Sequence, residues 1–321
     1  MLSIGLAVLA FLAGIVFLYK GSDILVDGTS RFAAQLGVSA LIISVVIVAF
    51  GTSAPEFAIS VGAAAQHHAD ISFGNIIGSC IANLLLVIGI SAVINPISIH
   101  PSVSKRELPI MVLTTVILAV FAFTQLLDAY HFIGGLIFLV LFILFVMYFV
   151  QCARKERRQR TDLHLLKTEK PMKNILLIIG GIIGVVLGAW LLIESSLTIA
   201  DFFGIPPLII SLSMVAIGTS LPELVVSALA AYKKESDIAI GNVLGSNVFN
   251  ILLVLGFASL LIPIQAKASF DQVLILLGIT ALMVPVLYSR KQITRIEGCG
   301  LLVIYAVYIW YIFLGSSLLM N

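Results

Sequence analysis

Residues 41–60 read LIISVVIVAFGTSAPEFAIS, and residues 208–227 read LIISLSMVAIGTSLPELVVS. Further along, residues 70–89 read DISFGNIIGSCIANLLLVIG and residues 237–256 read DIAIGNVLGSNVFNILLVLG. One offset, 167, relates both pairs. Across 39–90 and 206–257 the chain is identical to itself at 25 of 52 positions without a gap. The same offset aligns Gly21 with Gly188 and Gly37 with Gly204. Each copy is an apolar run broken by a proline and a glutamate, so the chain is an internal duplication with an acid in each half.

The rest of the chain is built from similar runs. Of its 321 residues, 60% are apolar and 11% charged, against roughly 25% charged in soluble domains. That composition cannot cover a soluble globule and excludes a soluble enzyme, a disordered chain or a nucleic-acid binder. A formal charge of +2 implies no polyanionic partner, and three scattered cysteines provide neither a disulfide framework nor a CxxC pair. A membrane-crossing helix needs about 20 apolar residues. The runs predict an all-α polytopic membrane protein with ten transmembrane helices, near 2–28, 40–65, 71–95, 106–125, 131–152, 174–200, 207–232, 238–262, 270–288 and 297–319. The N-terminal run lacks a preceding basic stretch and reads as the first span, not as a removable signal peptide.

The basic residues orient these spans. Segment 151–173 holds eight of the eighteen lysines and arginines, and such residues favour the cytoplasmic side. Placing this linker inside puts sixteen basic residues in the cytoplasm and only Lys267 in an outer loop, with Lys20 inside the first span. Both termini then lie outside. The linker divides a first five-helix repeat, 1–150 with its motif at 39–90, from a second, 174–321 with its motif at 206–257. Five spans per repeat is an odd number, so the second copy is inverted. Inverted repeats are typical of secondary transporters with a site at the midplane between the copies. The membrane in question is the cell (inner or plasma) membrane.

Polar residues inside such spans are costly and mark an ion or substrate path. They gather at Thr52, Ser53 and Glu56; at Asn75, Ser79 and Asn83; at Thr219, Ser220 and Glu223; and at Asn242, Ser246, Asn247 and Asn250. Thr52 and Glu56 are four apart, as are Ser79 and Asn83, so each pair shares a helical face. Pro55 and Pro222 lack an N–H and clash with the carbonyl four residues back, so each helix should open just before its glutamate. Gly74 and Gly78, with Gly241 and Gly245, are spaced for close helix packing, as are Gly180, Gly184 and Gly188. Carboxylate, hydroxyl, amide and carbonyl oxygens suit a hard cation such as calcium or sodium; zinc or copper would prefer nitrogen and sulfur. Two glutamates supply a charge of −2, balanced by one calcium or by two monovalent cations. Asn75 and Asn242 read more simply as bridges between helices. His67 and His68 read as solvated loop residues, Cys80 as packing, and Lys20 as pairing near Asp23 or snorkelling.

The paired GTSxPE and GNxxGS blocks resemble those of the calcium/cation antiporter superfamily, specifically its prokaryotic sodium/calcium exchangers. The resemblance covers the ten-span layout, with its specific motifs confined to 39–90 and 206–257. It implies that Glu56 and Glu223 are the central acids. It places hydroxyl ligands at Thr52, Ser53, Ser79, Thr219, Ser220 and Ser246, carbonyl ligands at Ala49 and Ala216, and an amide ligand at Asn83. It also implies that spans one and six slide against the other eight. Such exchangers often carry an aspartate where this chain has Asn250, whose amide still offers an oxygen, and Trp190 replaces an acid that members can carry opposite Asp23.

The function this implies is a secondary active antiporter exchanging calcium for sodium by alternating access, with a proton-coupled cation antiporter as the alternative. A cation channel fits less well, because no ring of pore carbonyls is apparent. An intramembrane hydrolase fails for want of HExxH or a histidine near the motif serines. No enzyme activity, cofactor, nucleic acid or protein partner is expected; the partners are calcium, sodium or protons, and lipid. A cysteine introduced near Lys167 should react with a membrane-impermeant reagent in opened cells and not in intact ones. Labelling of intact cells would reverse the layout.

Overall fold

The computed structural model describes residues 4–159, 171–203, 218–267, 269–288 and 291–318. The first half comprises α1 (Ile4–Leu36), α2 (Ala40–Thr52), α3 (Ala54–Ala65), α4 (Ala69–Ile94), β1 (Ile97–Ser98), α5 (Val103–Phe123) and α6 (His131–Gln159). The second comprises α7 (Pro171–Phe202), α8 (Leu221–Tyr232), α9 (Ser236–Leu261), α10 (Phe270–Tyr288), β2 (Gln292–Ile293) and α11 (Arg295–Leu318). Eight of the described helices are long and apolar enough to cross a membrane, and α2 with α3, bent by 47°, makes a ninth. Of the expected span 207–232, residues 207–217 lie outside the described part; α8 is its described remainder.

The layering follows from which faces are apolar all round. The most hydrophobic stretches of α4 and α9 are 78% and 83% buried, whereas those of the other long helices are 39% buried or less. These two therefore form the centre, and the outer helices expose Leu9, Phe123, Leu144, Trp190 and Trp310. So many exposed large apolar groups make sense only with lipid as solvent. Both central helices widen into a π turn, at Asn83–Val87 in α4 and Asn250–Val254 in α9. Each π turn begins on an asparagine singled out above, a common association of π turns with functional positions.

The helices α1 and α7 interlock through glycines. A Cβ on Gly21 would come within 2.6 Å of the Val185 nitrogen, and one on Gly188 within 2.5 Å of the Leu18 nitrogen. Only hydrogen fits at these crossings, so the two backbones meet directly. The predicted glycine series needs one correction. Gly184 and Gly188 face α1, but Gly180 is exposed with open space around it, and Gly181 takes its place against Leu25. At 3.6 residues per turn, 181, 184 and 188 share a face that 180 turns away from. Gly241 and Gly245 pack closely on Leu41–Ala49 as expected. Around Gly74 and Gly78 no described atom lies within 4 Å of an added Cβ, so the close packing expected of them is not seen among the described residues.

Connections rich in lysine and arginine gather at one end of the bundle. β1 pairs with β2, Ile97 opposite Ile293 and Ser98 opposite Gln292, joining the α4–α5 and α10–α11 connections. At the same end Glu156 of α6 accepts from the Ser39 backbone N–H (2.8 Å) and lies 3.4 Å from Arg106. Lys233, just past α8, reaches Asp23 at 2.5 Å and Asp27 at 2.7 Å on α1. Asp23 thus pairs across the fold, and Lys20, its neighbour in sequence, is exposed beside the Tyr19 ring. Partial burial disfavours the Lys233 ammonium, but its bonds to the two aspartates outweigh this and hold its pKa above the ordinary lysine value. At the opposite end Asp128 accepts from the backbone N–H groups of Ala266 and Lys267.

Gly21→Leu should separate α1 from α7 and cost about 1–3 kcal/mol, the usual penalty of overpacking. Gly180→Leu, pointing into open space, should leave thermal stability unchanged. Melting curves in detergent check both, and equal destabilisation would contradict the packing.

Candidate cation site

Each glutamate lies in the first turn of a helix that starts anew just ahead of it. Thr52 ends α2, and Ser53 leaves helical geometry at φ −81°, ψ 9°. Ser220 does the same before α8, at φ −84°, ψ 5°. Pro55 and Pro222 occupy the first turns of α3 and α8, where a missing N–H costs nothing. Glu56 and Glu223 follow at once, so each carboxylate sits at the positive end of a helix. In the first half the break falls just before Glu56, as Pro55 predicted; residues 204–217, ahead of the second, lie outside the described part.

Tertiary packing brings the four polar groups together. Glu56 and Glu223 have no exposed surface, and Thr52, Ser53, Ser79, Asn83, Thr219, Ser220, Ser246 and Asn250 are all buried. Ser53 donates to Glu223 Oε1 at 2.9 Å, as does Ser246 at 3.2 Å. Ser79 lies 3.1 Å from Glu56 Oε1 and 3.0 Å from the Ser220 hydroxyl, and it accepts from Asn250 Nδ2 at 3.2 Å. Ser53, from the first half, thus serves the acid of the second. The Ala49 carbonyl accepts from the Ser53 N–H at 3.0 Å and from Thr52 Oγ1 at 3.3 Å. Ala216 lies outside the described residues.

Around this centre the bonds occur in exchanged pairs. Thr52 donates to Asn242 Oδ1 (2.9 Å), and Thr219 donates to Asn75 Oδ1 (3.3 Å). Asn75 in turn donates to Ser60 (2.9 Å), and Asn242 donates to Ser227 (3.0 Å). The members of each pair differ by 167 in sequence. The asparagines therefore bridge helices, as their reading above supposed, and also hold the two threonine hydroxyls. Ser60 and Ser227 were missed by the sequence reading, although they too are identical at the offset. Asn247 donates to the Cys80 carbonyl and accepts from Asn83, spanning α4 and α9. Cys80 is buried in packing, and His67 and His68 are exposed.

Of the buried side-chain oxygens that keep no hydrogen-bond partner among the described residues, four lie at this centre: Glu56 Oε2, Glu223 Oε2, Asn83 Oδ1 and Asn250 Oδ1. All four are acceptors. Buried acceptors left unmatched cost about 1–3 kcal/mol each, more when charged, and a cation satisfies them as a proton donor would. The set is all oxygen and includes two carboxylates, the donor chemistry of calcium or sodium. Among the described residues no cluster of three His, Cys, Asp or Glu exists that would suit a transition metal. A cavity of about 140 Å³, lined by Phe50, Ser53, Ala54, Phe57, Phe249, Leu253 and Val254, reaches Ser53 from one side.

Comparison with known proteins agrees with this chemistry. The sequence pattern of the sodium/calcium exchanger protein family matches residues 6–151 and 173–314, leaving out little but the basic linker. The putative antiporter CaxA of Alkalimonas amylolytica is 36% identical over 317 residues, covering 96% of this chain and 98% of that protein. The sodium/calcium exchanger MaX1 of Methanosarcina acetivorans is 32% identical, covering 95% of this chain and 98% of its own. Solved structures of the sodium-calcium exchanger NCX_Mj soaked with sodium and calcium superpose with a TM-score of 0.83 at 34% identity, over 95% of this chain and 97% of the other. With both halves matched and the all-helical membrane fold shared, the chain belongs to the sodium/calcium exchanger protein family and is an integral protein of the cell membrane.

Proposed function

We propose that the protein is a secondary active antiporter that exchanges calcium for sodium by alternating access at a dicarboxylate site near the membrane midplane. The observation that carries this reading is the set of four buried, unmatched acceptor oxygens on Glu56, Glu223, Asn83 and Asn250. Glu56 and Glu223 supply the charge, and Asn83 and Asn250 supply neutral oxygens. Thr52, Ser53, Ser79, Thr219, Ser220 and Ser246 contribute hydroxyls, and Ala49 and Ala216 contribute carbonyls. Calcium and sodium are substrates, and no cofactor takes part. Two named exchangers, MaX1 and NCX_Mj, lend support through their similarity over nearly the whole chain.

The exchanged pairs of hydrogen bonds support two repeats related by inversion, 1–150 and 174–321; the apolar runs favour ten spans, and the basic residues favour both termini outside with the 151–173 linker in the cytoplasm. Such symmetry lets one set of ligands face either side in turn. The directly touching backbones of α1 and α7 lock these two helices together, so that the pair can move as one body against the central α4 and α9. A proton-coupled antiporter is the second reading, favoured by Asn250, which withholds a third carboxylate from a sodium load.

Glu56→Gln and Glu223→Gln each keep the side-chain shape and remove half the charge that balances calcium. Each should abolish sodium-gradient-driven calcium uptake into proteoliposomes, by about 100-fold or more, given that an unpaired buried charge costs about 3–5 kcal/mol. Wild-type uptake by either purified variant would refute the dicarboxylate centre. Asn250→Asp adds a group that can take up a proton beside two existing acids. Transport by this variant should be inhibited more strongly at mildly acidic pH than that of wild type. Superimposable pH profiles at equal protein would remove residue 250 from the site.

A further inference from the structure

Three polar residues of α1 are bonded to one short connection. Asp23, Asp27 and Ser30 are spaced four and three apart, so they share a face of that helix. All three meet the turn between α8 and α9. Lys233 Nζ lies 2.5 Å from Asp23 and 2.7 Å from Asp27, and it donates to the Asp23 carbonyl at 3.2 Å. Ser30 donates to Glu235 at 2.9 Å. Between these two partners Lys234 takes the left-handed conformation, at φ 65°. The N–H groups of Lys234 and Glu235 then bond back to the Ala231 and Ala230 carbonyls at 3.0 and 2.8 Å. A turn closed in this way fixes where Lys233 and Glu235 point, and it grips α1 as a preformed bracket.

The duplication copies the backbone of this bracket and not its side chains. At the offset of 167 Lys234 corresponds to His67, which is also left-handed, at φ 62°. Lys233 and Glu235 correspond to Gln66 and His68, while Asp23, Asp27 and Ser30 correspond to Trp190, Glu194 and Leu197. Gln66 donates within its own turn, to the Gly62 carbonyl at 3.3 Å, and Glu194, His67 and His68 are exposed. Among the described residues no ion pair or side-chain hydrogen bond joins this second turn to α7. One end of the bundle carries an ionic tie that its counterpart lacks.

We propose that Lys233 is a positioning residue for transport: through Asp23 and Asp27 it holds α1 against α8, and this tie must open each time the site turns toward the Lys233 end. The proposal rests on the antiport reading and on the movement of α1 with α7 given above. Hydrogen bonds fail beyond about 3.5 Å, so sliding α1 by about 3 Å, the rise of two residues, releases the bracket. Because the tie is present at one end, it favours the orientation seen here over the other. Both aspartates and Lys233 are partly exposed. Such pairs each change an equilibrium by about fivefold or less, so losing both should shift the two orientations by about 3–10-fold.

The test measures calcium uptake by right-side-out and inside-out membrane vesicles from cells producing the full chain. Uptake is driven by a sodium or proton gradient, whichever sustains it in wild type, and labelling near Lys167 identifies the vesicles that present the Lys233 end. Apparent affinity at a face scales with the population open to it. Lys233→Met should therefore lower half-saturating calcium about 3–10-fold at the Lys233 end, and leave it unchanged or raised at the opposite end. Lys233→Arg, which keeps both bonds, should behave as wild type. Asp23→Asn with Asp27→Asn should reproduce the shift with Lys233 in place, and this variant carries the test if Lys233→Met fails to insert. Half-saturation unchanged at both faces, or raised at both as a loosened site would give, overturns the proposal and leaves the antiport reading standing. Absence of gradient-driven uptake in wild type overturns the antiport reading, and the proposal falls with it.

Discussion

Glu56 and Glu223 share a compartment with no solvent-exposed surface, where an uncompensated carboxylate costs several kcal/mol. The fold answers that cost locally before any ion arrives. Each acid sits in the first turn of a helix, where backbone N–H groups and the helix dipole favour negative charge. Each also receives hydroxyl donors from other helices, Ser79 for Glu56 and Ser53 with Ser246 for Glu223. What these devices leave unmet is one oxygen per carboxylate and one per amide. A folded site that satisfies everything except a set of acceptors is prepared for a cation.

That arrangement divides the helices by the kind of contact they make. The central helices α4 and α9 meet through directional bonds, Asn247 to the Cys80 carbonyl and Asn83 to Asn247. Directional bonds fix distances, so these helices hold the ligands in register. The peripheral pair α1 and α7 interlocks through glycines that bring the two backbones into direct contact. Outside the apolar layer, Lys233 ties α1 to the end of α8 through Asp23 and Asp27. The central helices are thus held by directional bonds and the peripheral pair by close backbone contact.

Much of this was legible in the sequence because membrane burial penalises every misplaced polar group. With 60% apolar residues, the few polar side chains inside apolar runs stand out, and duplication prints each of them twice. Pro55 located the described helix break, since a missing N–H acts on the carbonyl four residues back whatever surrounds it. Donor chemistry also followed from residue type alone. Ser60 and Ser227 were as visible at the offset as any other pair, yet their role depends on which side chain faces them, Asn75 and Asn242.

Other features were decided by tertiary structure. Gly180 and Gly181 are equivalent as letters; the phase of α7 against α1 turned one outward and pressed the other onto Leu25. Asp23 lies three residues from Lys20 but pairs with Lys233, because α8 ends beside α1. The short β1–β2 ladder joins two connections far apart in sequence, pairing Ile97 with Ile293 and Ser98 with Gln292. Local chemistry, repeat symmetry and helix breaks are properties of adjacent residues, so the sequence by itself determined them. Partners drawn from opposite halves depend on how whole helices rotate and pack, and only the folded chain decides that.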